Sequence, residues 1–130
     1  MAKYYHLKIF KESIDLTVYI EDIVKNFSKY HKYTVGSRLR NISYDITVLI
    51  VKINSRRKEE RKELMCELID KIEEMRVNLL ISRELKAFNN PKSFFHASEK
   101  ITNIGRQSAG WYKHSFETPE SYSRGSNERV

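Results

Sequence analysis

The sequence predicts an all-α chain folded as an antiparallel, up-down-up-down bundle of four helices. Three observations carry this prediction. Apolar residues recur at steps of three and four along four long segments, which is the helical period. Only four glycines and two prolines punctuate 130 residues, too few for the turns of an all-β fold. The connections between segments are short, which folds each helix back beside the one before it.

The first segment runs from about Tyr4 to Lys29, with Leu7, Phe10, Ile14, Val18, Ile20, Ile23, Val24 and Phe27 as its apolar set. Lys8, Lys11, Glu12, Asp15, Glu21, Asp22 and Lys25 fill much of the remaining surface, so the helix is amphipathic. A second helix follows Thr34, whose hydroxyl is placed to cap free amides of the first turn. Leu39, Ile42, Ile46, Leu49, Ile50 and Ile53 mark its buried stripe. The run Ile46-Thr-Val-Leu-Ile-Val is rich in β-branched residues that favour strands. The helical period extends beyond that run on both sides, and burial overrides such weak propensities, so helix is expected throughout.

Asn54-Ser55 breaks the second helix, and Glu59 and Glu60 suit the positive end of a third. That helix turns Leu64, Leu68, Ile72, Met75 and Leu79 inward, with Ile81 or Leu85 at its end, and stops near Ala87. Asn89-Asn90-Pro91 then reads as a stop followed by a start, asparagine at the cap and proline in the first turn. The fourth helix offers Phe94, Ala97, Ile101, Ile104, Ser108 and Trp111 along one stripe. Gly105, Ala109 and Gly110 would let a neighbouring helix come close. Helices of this size give a bundle roughly 35–40 Å long. Residues 1–115 are thus expected to form the bundle and 116–130 a flexible polar tail.

The length suits one domain, and 32% charged with 40% hydrophobic residues is ordinary for a globular chain. The formal charge of +7 makes nucleic acid or an anionic surface the natural partner class. The apolar run Ile46 to Val51 lies between Asp45 and Lys52 and falls far short of the roughly 20 residues of a membrane span. The amino terminus lacks the apolar block of a secretory signal, and Cys66 is the sole cysteine, so a cytoplasmic protein without a membrane role is expected. Catalysis finds no support: there is no glycine-rich phosphate loop and no nucleophile elbow. None of His6, His31, His96 and His114 has glutamate three positions before it, as di-iron bundles require, so no metal or cofactor is expected.

With the helices placed, three motifs stand out. Tyr33-Thr-Val-Gly36-Ser-Arg38-Leu39-Arg40 opens the second helix, Asn54-Ser55-Arg56 forms the turn after it, and Ile104-Gly105-Arg106 to Gly110-Trp111 closes the fourth. In order and spacing the chain resembles the four-helix-bundle family of accessory variability determinant proteins of diversity-generating retroelements. This family is related to the proteins encoded by intervening sequences in ribosomal-RNA genes. The likeness covers about Leu7 to Lys113. It implies a homopentameric barrel with a basic surface, association with a reverse transcriptase and its template RNA, and a non-enzymatic role in mutagenic cDNA synthesis. The ribosomal-RNA relatives suggest the alternative, a structural or interaction bundle without a specific nucleic-acid role.

Candidate contacts follow from the cations. Lys52, Arg56, Arg57, Lys58, Arg61 and Lys62 cluster at the turn between the second and third helices, where grouped cations release counterions on meeting nucleic acid. The plainer reading pairs them with Glu59, Glu60 and Glu63 on a solvated surface. Arg38 and Arg40 oppose the dipole at the start of the second helix, so one is expected to pair within the chain and the other to serve a partner. Arg106 and Lys113, with His114, complement the dipole at the end of the fourth helix; the resemblance implies that this end helps build the basic surface, so Arg106 and Lys113 also stand as candidate partner contacts. Trp111 fits the core or a subunit interface better than base stacking. Tyr4, Tyr5, Tyr19, Tyr30, Tyr33 and Tyr44 are expected at the core edge and subunit contacts.

Overall fold

Five buried side chains, Ile9, Ser13, Leu16, Ile20 and Val24, decide which face of α1 (Lys8–Val24) turns inward. The computed structural model describes residues 4–116, so the expected tail lies outside the described residues except for Phe116, which ends the last helix. After α1 comes one helical turn, α2 (Lys29–Lys32), then α3 (Val35–Ser55), a 3₁₀ turn (Lys58–Glu60), α4 (Lys62–Glu84) and α5 (Pro91–Phe116). No strand occurs among the described residues, and α3 runs unbroken through its β-branched stretch.

Each of the four long helices packs on two others: α1 on α3 and α5, and α4 on α3 and α5. The core between them contains Leu16, Ile20, Leu39, Ile46, Ile50, Ile53, Met65, Leu68, Met75, Leu79, Ile101 and Ile104, all nearly inaccessible to solvent. Burial of a side chain of this kind contributes about 1.5–3 kcal/mol. Small residues set the α1–α3 crossing. Ser13 and Ser43 are fully buried there, and Thr17 Oγ1 lies 3.2 Å from Thr47 Oγ1. Their hydroxyls return to backbone carbonyls within the helices, Ser13 to Phe10 at 2.7 Å and Ser43 to Arg40 at 2.8 Å, so no donor is stranded there.

Gly36 fixes a second close approach. A Cβ at this position would sit 2.7 Å from Val24 Cγ1 and 2.9 Å from the His31 carbonyl oxygen. The glycine of the Thr-Val-Gly-Ser motif is therefore there because α1 and the α2 turn press against α3. Gly105 is looser, since the nearest atom to a Cβ there is the far end of Arg76, and Gly110 faces open space. Of the two glycines expected there to admit a neighbour, only Gly105 does so among the described residues, and what it admits is a guanidinium.

Some details differ from the sequence reading. Thr34 does not cap α3; its hydroxyl donates back to the Tyr30 carbonyl at 2.9 Å. The apolar set on α1 is wider than one face can bury, so Ile14 and Val18 stay exposed while Ser13 and Leu16 turn inward. Ile81 and Leu85 are both exposed rather than inward. Among the tyrosines, Tyr19 is half-buried, but Tyr5, Tyr30, Tyr33 and Tyr44 are exposed, so the core edge does not account for them.

The end of α4 is closed by two backbone bonds, Ala87 N–H to the Ser82 carbonyl and Lys86 N–H to the Arg83 carbonyl, both 2.9 Å. This closure puts Lys86 at φ 59°, a left-handed conformation that glycine normally occupies. Replacing Lys86 with glycine is expected to stabilise the fold by about 0.5–1 kcal/mol, read as a rise in the denaturation midpoint.

Two polar braces tie neighbouring helices. Tyr44 Oη donates 2.8 Å to Glu21 Oε2, and this bond, with the nearby carboxylate charge, raises the phenol above its ordinary 10.0. Lys71 lies 3.4 Å from Asp45 and 3.5 Å from Glu74. Desolvation alone would lower its pKa, but the two carboxylates more than offset this and leave it above 10.5. In both groups folding tightens the proton. Their contribution is therefore intact below about pH 10 and is lost as pH rises through the raised values. Urea titrations at rising alkaline pH should show stability falling over this window, and falling less in a Tyr44→Phe, Lys71→Met double variant.

Candidate nucleic-acid interface

The turn between α3 and α4 is built to hold its backbone in place while leaving charge outside. Arg56 and Arg57 are extended, with ψ of 156° and 152°, before the 3₁₀ turn begins. Glu60 reaches back to the Arg57 amide at 3.4 Å and pairs with the Arg57 guanidinium at 3.4 Å. Arg61 serves the fold itself. Its Nε donates 2.9 Å to the Arg56 carbonyl and its Nη2 donates 3.3 Å to the Asn54 carbonyl. These are carbonyls that the end of a helix leaves without partners. The same guanidinium lies 6.0 Å from the centre of the Trp111 ring, which places the end of α5 beside the turn.

The remaining cations of the turn are differently placed. Lys52, Arg56, Arg57, Lys58 and Lys62 are all exposed. Among the described residues no carboxylate pairs with Lys52, Arg56, Lys58 or Lys62; Glu60 alone of the nearby acids is engaged, with Arg57. Glu59 and Glu63 form no ion pair among the described residues, so direct pairing does not account for the cluster. Arg56 spends one nitrogen on the Ser55 hydroxyl at 3.0 Å and keeps the rest of its fork outward. Exposed guanidinium and ammonium groups so arranged suit several successive phosphates.

The ten sequence-predicted contacts do not form one patch. Arg106 and Lys113 stand two turns apart on the exposed side of α5, whose end carries Trp111 beside Arg61. Arg38 and Arg40 sit at the other end of α3, roughly 25 Å away at the helical rise of 1.5 Å per residue. The structure also separates that pair. Arg40 Nε lies 3.1 Å from Glu21 Oε1 and is committed to the α1–α3 brace, whereas Arg38 is exposed and forms no ion pair among the described residues. Trp111 is half-buried against the core, in keeping with its place on the apolar stripe.

Sequence reasoning missed a second cationic corner, at the α4–α5 turn, where Arg83 and Lys86 stand over Phe88, Phe94 and Phe95. The signal was present in the adjacent Phe94-Phe95 pair, because two neighbouring helical residues cannot both face one core. No group of three histidine, cysteine, aspartate or glutamate side chains among the described residues can hold a metal ion. No described helix is long and apolar enough to cross a membrane.

Comparison with curated proteins gives no match. The bAvd-like family model, in contrast, matches residues 7–115, from just before α1 almost to the end of α5 and through all three motifs. On that match the chain belongs to the bAvd-like family, the four-helix-bundle family its motifs resemble.

Proposed function

We propose that this protein is a non-enzymatic accessory factor of a diversity-generating retroelement, binding a reverse transcriptase and its template RNA to support mutagenic cDNA synthesis. The observation that carries the reading is the uncompensated charge at Lys52, Arg56, Lys58 and Lys62, held out by a turn that Arg61 and Glu60 fix from within. Rigid placement matters here, because a preorganised cationic face loses little side-chain and loop freedom on binding. The protein acts in the cytoplasm, where template and polymerase meet.

The working unit is an antiparallel bundle assembled with copies of itself. The antiparallel reading is supported by contacts that run in opposite order along α1 and α5: Tyr19 with His96, Asp15 with Lys100, and Glu12 with Gln107. Self-association is supported by apolar side chains left uncovered. Ile14 and Val18 on α1, and Tyr44 and Val48 on α3, are between 42% and 55% exposed and flank the Thr17–Thr47 contact. Monomeric proteins rarely leave such a stripe in solvent. The assembly is a pentamer, the number the family resemblance implies, and sedimentation of the purified chain should return five copies; a monomer at all concentrations contradicts it.

A pull-down with the cognate reverse transcriptase, with and without template RNA, tests the function. Retention in both conditions, stronger with RNA, is the expected result. Failure to retain the polymerase in either condition overturns the reading, and a chain that also ignores RNA at low salt would instead be an interaction bundle of the ribosomal-RNA intervening-sequence type.

A further inference from the structure

The α4–α5 turn holds a cleft of about 180 Å³ lined by Arg83, Lys86, Phe88, Pro91, Phe94 and Phe95. Phe94 is buried and forms the floor, with Phe88 edge-on at 6.0 Å and Phe95 edge-on at 5.3 Å between ring centres. Phe95 itself is 63% exposed, a large flat apolar side chain with no core to fill. The Arg83 guanidinium lies 4.6 Å from the centre of the Phe94 ring, held by its ion pair with Glu84 at 3.5 Å. Lys86 stands on the rim in its left-handed conformation, exposed and without an ion pair among the described residues. Among the described residues no carboxylate lines the cleft, and Glu84 lies beside it, paired with Arg83.

An exposed ring beside the unpaired Lys86 asks for a ligand that is flat and apolar on one side and anionic on the other. An unpaired nucleobase with its own phosphate meets both demands, because every base presents a π-face and every nucleotide carries a charge. Duplex RNA does not, since its bases are stacked away.

We propose that this cleft is a second RNA site, distinct from the α3–α4 turn, in which Phe95 stacks on an unpaired base while Lys86 holds the adjoining phosphate. The site lies at the other end of α4 from the cationic turn, roughly 35 Å away along the helix. A single strand running along the bundle therefore engages both. The inference rests on the reading of the chain as an RNA-binding protein and adds to it a preference for single strands.

The test compares single-stranded oligoadenylate with a fully paired duplex RNA, each titrated across a range of salt. Phe95→Ala should weaken oligoadenylate binding on the order of tenfold, leave the salt slope unchanged, and leave duplex binding unchanged. Phe95→Trp should restore the single-strand affinity. Lys86→Gly, which relieves backbone strain and so keeps the fold, should instead reduce the slope by about 0.7. If Phe95→Ala binds oligoadenylate as well as the parent while charge reversal at the α3–α4 turn abolishes binding, this inference falls and the proposed function stands. Equal losses on single strand and duplex also overturn it, since stacking on an unpaired base cannot act on both. A parent protein that binds neither RNA sinks the inference and the RNA-binding reading together.

Discussion

Reversing Arg56, Arg57 and Lys58 to glutamate removes most of the affinity for template RNA while leaving the helical content and the melting temperature close to those of the parent. All three side chains are exposed, and the turn is closed by Arg61 through the Asn54 and Arg56 carbonyls and by Glu60 through the Arg57 backbone amide. The substitution does cost the Arg57–Glu60 pair, but exposed pairs of this kind contribute at most about 1 kcal/mol. On the binding side the effect is far larger. Each lost phosphate contact lowers the log–log salt slope by about 0.7 on a single strand, so three lost contacts lower it by about 2. Replacement by glutamate also adds repulsion, so the loss at low salt exceeds that of the alanine variant. Arg61→Ala should behave in the opposite way, lowering thermal stability first and RNA affinity only as a consequence. Filter binding and thermal melts on the same preparations separate the two cases.

Gly36→Ala is expected to destabilise the bundle by about 1–3 kcal/mol, a lowering of the melting midpoint on the order of 5–10 °C. An added Cβ would overlap both a side chain, Val24, and a backbone carbonyl, His31, and the carbonyl cannot give way without moving the α2 turn. The same substitution at Gly105 meets only the end of Arg76, which can swing aside, and at Gly110 it meets nothing. Gly110→Ala should therefore stabilise the isolated bundle by up to about 1 kcal/mol through helix propensity alone. The ordering Gly36 most costly, Gly105 small, Gly110 favourable is a sharper test than any single value. It also explains part of the family motif: Gly36 is held by packing, whereas the nearby Arg38 has no structural duty among the described residues.

The helices were legible because their signal is long. Over α3, nine buried positions from Val35 to Ile53 keep the helical period, and no local preference for strand could compete with it. The face of α1 was harder to read. Phe10, Ile14 and Val18 repeat as regularly as Ile9, Leu16 and Ile20, and the buried choice depends on Ser13, a polar residue chosen for size at a close crossing. Hydrophobicity alone ranks that position wrongly. The end of α4 shows a related limit, since Ile81 and Leu85 look inward by spacing yet share an exposed face with Val77, while the polar Asn78 and Ser82 take the buried positions.

The candidate site was legible as a list of cations but not as a surface. Sequence placed the charged turn correctly, and the resemblance gave it meaning, but neither could say which cations are spent within the chain. Arg40 and Arg61 turn out to be engaged, by Glu21 and by backbone carbonyls, because they stand where two segments meet. Lys58 and Lys62 stand where nothing does. The aromatic cleft left only one trace in the sequence, the adjacent Phe94-Phe95 pair, because Arg83, Lys86 and Phe95 belong to different elements that the turn at Lys86 brings to one rim.

The central claim is that the uncompensated cations of the α3–α4 turn exist to meet phosphate. Its most direct test is the affinity of the unmodified protein for template RNA measured as a function of salt. Four or five phosphate contacts predict a log–log slope of about −3 to −3.5 on a single strand. A slope near zero, or no measurable affinity at low salt, contradicts the account.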